Sequence, residues 1–147
     1  MEEILGVTGL TRRYGGRNVV DALTLSVCRG EIYGFLGMNG AGKSTTIRML
    51  LSLVEPTSGE IRLFGERVAH GRGSVRRNWA QLSRIGSVIE FPGFYGNLTA
   101  MENLSVNTIL AGKRKENAIG EALETVGFRP GCAELKARTA EFSLGMR

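Results

Sequence analysis

Nine consecutive residues carry the most readable chemistry. Gly37-Met38-Asn39-Gly40-Ala41-Gly42-Lys43-Ser44-Thr45 matches G-x-x-x-x-G-K-[ST] at every fixed position. Glycines let a chain turn tightly and bring bare backbone N–H groups against phosphate oxygens. A helix that starts directly after such a loop points its positive end at the same anion. Lys43 supplies a mobile charge for the β- and γ-phosphates of a nucleotide. Ser44 supplies a hydroxyl for Mg²⁺, a hard cation that takes oxygen ligands. The 21 glycines among 147 residues make a glycine-rich turn beside a lysine cheap, so the flanks must decide whether the loop is a phosphate cradle.

The elements that must position this loop are legible around it. Glu31-Ile32-Tyr33-Gly34-Phe35-Leu36 is a short apolar run and reads as a buried strand. Ile47, Leu50, Leu51 and Val54 recur at i, i+3, i+4, i+7, which predicts a helix with one buried face, ended by Pro56. Strand, loop and helix in that order is the setting a nucleotide phosphate site requires. Upstream, residues 4–7 and 23–27 alternate like half-buried strands about a Gly15-Gly16 turn. Ile61 and Leu63 predict another strand, turning at Phe64-Gly65-Glu66. Residues 67–78 are polar, basic and dotted with glycine, a loop leading to a short helix. Residues 85–89 predict a further strand, broken by Pro92-Gly93. Helical signals then take over: Thr99 and Glu102 form a capping box, and Ile119, Ala122, Leu123 and Val126 repeat at helical spacing before Gly127.

Composition narrows the class. The chain is 42% hydrophobic and 22% charged, an ordinary globular balance for one domain or less. Its net charge of +5 suits a nucleotide, an acidic membrane surface or nucleic acid, and equally a solvated basic surface. Arg72, Arg76, Arg77 and Arg84 cluster without interleaved aromatics, which argues against nucleic acid as a partner. Cys28 and Cys132 fit no metal spacing and suit a reducing compartment. No apolar run approaches the roughly 20 residues of a membrane helix, and Met1-Glu2-Glu3 opens no signal peptide. A soluble cytosolic chain is expected, held at a membrane only through a partner.

Nearly the whole chain resembles the first half of the ATP-binding subunit of an ABC transporter. Residues 37–45 stand as the Walker A loop of that family, with Met38 where proline is commoner, and Pro56-Thr57-Ser58-Gly59-Glu60-Ile61 resembles the stretch after the Walker A helix. Tyr14 stands where the family stacks an aromatic ring on adenine, though a strand-end core aromatic is an equally simple reading of it. In Ile85-Gly86-Ser87-Val88-Ile89-Glu90 the last residue replaces a glutamine that ligates Mg²⁺ and senses the membrane partner. Phe142-Ser143-Leu144-Gly145-Met146 stands at the signature Leu-Ser-Gly-Gly-Gln, with Ser143 and Gly145 in register. Read alone, Ser143 is a helix N-cap. Glu90, the residues after it and this signature variant look like the branch that handles bacitracin and lantibiotic peptides.

The resemblance implies an α/β P-loop ATPase core with an antiparallel β subdomain over residues 1–95 and the start of a helical subdomain over 96–147. It implies ATP and Mg²⁺ as ligands, with Tyr14 and residues 37–45 on the nucleotide, Ser44 and Glu90 on the metal, and Ser143 and Gly145 facing a partner's ATP. It implies a head-to-tail pair of ATP-binding subunits at the cytoplasmic face of a bacterial membrane, driving a permease that exports a peptide antibiotic. The Walker B strand with its catalytic glutamate, and the switch histidine, follow the signature in the family. The only histidine here, His70, precedes Glu90. Residues 1–147 are therefore expected to be part of a longer protein and, alone, to bind ATP without hydrolysing it. Alternatives are a non-hydrolysing nucleotide-binding fragment, a soluble non-transport ABC protein, and a P-loop kinase with Val88-Ile89-Glu90 as its acidic strand end.

Overall fold

The computed structural model describes residues 1–90, 93–110, 112, 118–129, 132 and 135–143. The chain divides into two compact units, residues 1–90 and 91–147.

The first unit is built on a hairpin. Strands β1 (Glu3–Tyr14) and β2 (Arg17–Cys28) pair antiparallel across the two-residue Gly15-Gly16 turn. β3 (Ser58–Leu63) pairs with the other edge of β1, and β4 (Glu66–Arg67) with β3, giving the order β2-β1-β3-β4. Alternation puts Ile61 and Leu63 of β3 on one face. On β1 the buried residues are Val7 and Leu10, three apart, which a regular strand would send to opposite faces. A register shift between them restores Leu10 to the core side. Val7, Leu10, Val20, Ile61 and Leu63 close a core with Val68 and with Met49. Met49 lies on α1 (Lys43–Leu50), the helix that follows the glycine loop.

Two expectations about α1 are corrected. The buried residues are Thr46 and Met49, while Ile47 faces solvent and Leu50 and Val54 pack only at the core's margin. The helix also stops at Leu50 rather than at Pro56. Ser52 takes φ 58°, its N–H bonds to Met49 O at 3.0 Å, and Leu53 N–H reaches back to Arg48 O at 2.8 Å. These two bonds are a Schellman stop, which satisfies the last carbonyls without help from proline.

The strands expected at 31–36 and 85–89 do not form; both segments run without strand pairing. Ile32 is 99% exposed, Leu36 91% and Val88 74%. An apolar run becomes a strand only when a neighbour accepts its backbone hydrogen bonds, and among the described residues none does. Residues 67–78 behave as expected, leading into the short helices α2 (Ser74–Arg77) and α3 (Trp79–Leu82). Asn78, between them, is almost fully buried. It bonds both ways to the Ala69 backbone at 2.8 Å and donates to Ser52 Oγ at 3.0 Å, tying this strap to the end of α1.

In the second unit, α4 (Ala100–Leu110) opens on the expected capping box. Glu102 Oε2 accepts from Thr99 N–H at 2.8 Å and from its hydroxyl at 3.0 Å, and Glu102 N–H donates to Thr99 Oγ1 at 3.3 Å. α5 (Ala118–Thr125) ends as expected at Gly127, whose N–H meets Glu124 O at 3.0 Å while Phe128 N–H meets Leu123 O at 2.9 Å. Ala100, Leu123 and Phe142 form the buried core, with the Phe128 and Phe142 rings stacked 6.0 Å apart. Buried Asn103 ties three places together. It accepts from Tyr95 N–H at 2.8 Å and donates to Thr99 O at 3.0 Å and to Thr139 Oγ1 at 3.3 Å. Thr139 opens a 3₁₀ turn (Thr139–Glu141), and Ser143 follows it, exposed.

Candidate nucleotide site

The loop at 37–45 is curled round its own lysine. Lys43 Nζ donates to Gly37 O at 2.5 Å and to Met38 O at 2.8 Å. An ammonium has three donors, so the third remains for an anion on the loop's concave side. Ala41 N–H bonds to Met38 O at 3.1 Å, which tightens the turn. Gly42 then starts α1 with φ 89°, in the left-handed region. The contact that seats the loop on the sheet is made here: a Cβ on Gly42 would lie 2.4 Å from Val19 O and 3.0 Å from Val20 Cγ2. Only glycine lets the loop backbone approach β2 this closely. Thr46 locks the first turn, its N–H and hydroxyl both donating to Gly42 O, at 2.8 and 3.0 Å. Acidic residues are absent from the first turn of α1, so its positive end faces the loop unneutralised.

Met38, Asn39, Gly40 and Ala41 are exposed and Ser44 and Thr45 half-buried, so the cradle is open to a ligand. Tyr14, 45% exposed, ends β1 and pairs with Arg17. Val19, which touches Gly42, is two residues further along β2, or about 7 Å. The Tyr14 end of the hairpin and the glycine loop are thus separated by a distance of that order. Arg12 lies over the Tyr14 ring, its guanidinium carbon 4.3 Å from the centroid.

Glu90 takes φ 63° and pairs with Arg48 Nη2 at 2.9 Å. Arg48 follows Ser44 by four residues on α1, one turn along the same face. The pair therefore brings Glu90 to the helix face that carries Ser44. Both partners are about half exposed, so the pair contributes under ~1 kcal/mol to stability. Ser143 belongs to the second unit, and Gly145 lies outside the described residues. His70, the lone histidine, is half-buried, and burial lowers its pKa, opposed by Glu55 and aided by Arg67.

Sequence reasoning missed three contributors here: Arg12, Arg48 and the Val19 carbonyl. Arg48 has a signal, its i+4 spacing from Ser44, and Arg12 has one in its i+2 spacing from Tyr14 on a strand. A backbone carbonyl has none.

The known family described as ABC transporter matches residues 20–147. The chain belongs to the ABC transporter family. The bacitracin transport ATP-binding protein of Bacillus licheniformis is 50% identical over the whole of this chain and 45% of its own length. A bacitracin transport ATP-binding protein of Enterococcus faecalis is 40% identical, with the same coverage. A lantibiotic transport ATP-binding protein of Streptococcus pyogenes is 37% identical over 98% of this chain and 57% of its own. The chain thus spans about half the length of the curated relatives it matches. An ABC transporter ATP-binding subunit of known structure aligns with a TM-score of 0.75 at 30% identity, over 97% of this chain and 57% of that one. CbiO1 of Clostridium perfringens, part of an ABC transporter complex, aligns with a TM-score of 0.76 at 25% identity, over 99% of this chain and 58% of that one. The fold is that of an ABC ATPase domain, as the sequence resemblance implies. Membership of this family implies nucleotide binding.

Proposed function

We propose that this chain is the nucleotide-binding part of a bacterial ABC exporter of peptide antibiotics, of the bacitracin and lantibiotic class. The observation that carries the reading is the 37–45 loop, curled on Lys43 and seated against Val19, in a chain half identical to a bacitracin transport ATP-binding protein. Lys43 and the loop N–H groups hold the β- and γ-phosphates. Tyr14 stacks on adenine. Ser44 and Glu90 would supply oxygen ligands, the donor type that Mg²⁺ takes. Held there, Mg²⁺ would neutralise phosphate charge. Glu90 belongs to the metal rather than to the attacking water, and none of these 147 residues is assigned the general base. Ser143 and Gly145 face the γ-phosphate held by a second, head-to-tail subunit. A membrane permease at the cytoplasmic face is the partner that this ATPase drives, and nucleic acid is not.

Lys43→Ala tests the site. Calorimetric titration of the purified protein with Mg-ATP should show binding abolished or severely weakened, because the charge that meets the phosphates is gone; unchanged affinity refutes the assignment. Expressed as part of the full-length subunit together with a bacitracin permease in a sensitive host, the wild-type residue should raise bacitracin resistance and Lys43→Ala should not.

A further inference from the structure

Arg12, on β1, lies outside the phosphate loop. This side chain does three things at once. Its guanidinium covers one face of the Tyr14 ring, 4.3 Å from the centroid. Its Nη1 donates to Glu55 O at 2.6 Å, in the segment just after α1. Its Nε is buried with no hydrogen-bond partner among the described residues. A guanidinium has five donors in a rigid plane and gains most when all are satisfied. Here the plane forgoes one bond and lies on the ring instead. The anchor at Glu55 is itself sewn to β1: Thr57 N–H meets Thr11 O at 2.7 Å, and Arg13 N–H meets Thr57 Oγ1 at 3.0 Å. Tyr14 stands near the tip of a two-residue hairpin, 45% exposed. An unclamped aromatic there would sample several rotamers.

We propose that Arg12 is a positioning residue for nucleobase recognition: it clamps one face of Tyr14, fixes the ring's plane from an anchor at Glu55, and leaves the opposite face to the base. This rests on the reading of Tyr14 as the adenine platform. Arg12 acts through Tyr14 and not on the phosphates, because its charge is directed to the ring and the Glu55 carbonyl. A cation above a half-exposed phenol ring contributes modestly, so removing it should weaken ATP binding about threefold. Removing the ring itself should weaken it about tenfold or more.

The test is a double-variant cycle with two probes, Mg-ATP and Mg-tripolyphosphate, which has the phosphates and no base. Arg12→Ala should weaken Mg-ATP about threefold and leave tripolyphosphate unchanged. In a Tyr14→Ala background the same change should have no effect on either probe. Arg12→Lys, which keeps the charge and loses the planar fork, should behave like Arg12→Ala. Equal weakening of both probes would overturn the proposal, whether Arg12 acts on phosphate or on the fold of the loop. So would additive losses in the double variant, or full rescue by lysine. If Tyr14→Ala alone leaves the ratio of the two affinities unchanged, the adenine platform itself is refuted, an outcome distinct from failure of Arg12 to act on it.

Discussion

Gly42 and Gly40 make a matched pair of probes for the loop. Both sit in the left-handed region, at φ 89° and 84°. They differ in what surrounds them. A Cβ on Gly40 meets nothing within 4 Å, whereas one on Gly42 falls 2.4 Å from Val19 O and 3.0 Å from Val20 Cγ2. Alanine at Gly40 therefore adds only the backbone penalty, about 1–2 kcal/mol. Alanine at Gly42 adds the same penalty and a clash with a backbone carbonyl that cannot rotate away. The loop must lift off β2, at a further cost of about 1–3 kcal/mol, the range for overpacking a tight contact. In the nucleotide-free protein the lifted loop relaxes, and binding must then pull it back. The difference converts to about 5- to 150-fold weaker Mg-ATP binding for Gly42→Ala than for Gly40→Ala. Titration calorimetry on the two variants measures it, with urea unfolding to show that both fold. Equal losses would mean that the Val19 contact contributes nothing to the cradle, and wild-type affinity in Gly42→Ala would refute the loop geometry outright.

Other consequences are as direct. Glu90→Gln should keep Mg-ATP binding, since an amide oxygen still ligates a hard cation, and should leave stability within about 1 kcal/mol because its exposed pair with Arg48 is weak; complete loss of binding would count against a metal role. Thr99→Ala removes one side of the capping box and should lower the stability of the second unit by about 1 kcal/mol, read as a shift in its urea midpoint. Glu102, whose carboxyl is held below its usual value by hydrogen bonds from Thr99, adds stability above pH 4.5 that is lost as pH falls through its lower folded value. His70 gives a second acid-side slope: burial lowers its pKa from 6.5, so the unfolded chain takes up the proton first and stability falls as pH drops below 6.5. In His70→Gln that part of the slope should vanish, and a slope that persists unchanged assigns it to another group.

Local chemistry made much of this legible from the sequence. The glycine loop, the β1–β2 hairpin about Gly15-Gly16, the capping box at Thr99 and Glu102, and the stop at Gly127 each depend on a few adjacent residues and on hydrogen bonds within a turn or two. The stop at Ser52 was not legible, because serine rarely takes φ 58° and nothing beside it announces that it must. The apolar runs at 31–36 and 85–89 show the opposite failure. Their composition is that of buried strands, yet composition supplies no partner: among the described residues they pair with no strand, and Ile32, Leu36 and Val88 are exposed while Ile85 packs against the core.

What the sequence determined by itself was the kind of chemistry: residue types at fixed spacing, Lys43 and Ser44 behind three glycines, already specify a phosphate cradle because neighbours in the chain build it. What only the tertiary structure decided was how the cradle is held and oriented. Gly42 rests on a carbonyl 23 residues upstream, Glu90 is brought to α1 by Arg48, and Arg12 lies on the Tyr14 ring from an anchor at Glu55. The anchoring contacts at Gly42, Glu90 and Glu55 join residues far apart in the chain, and Arg12 settles on Tyr14 by a choice of rotamer. Packing settles such contacts, and a linear pattern of residue types does not encode them.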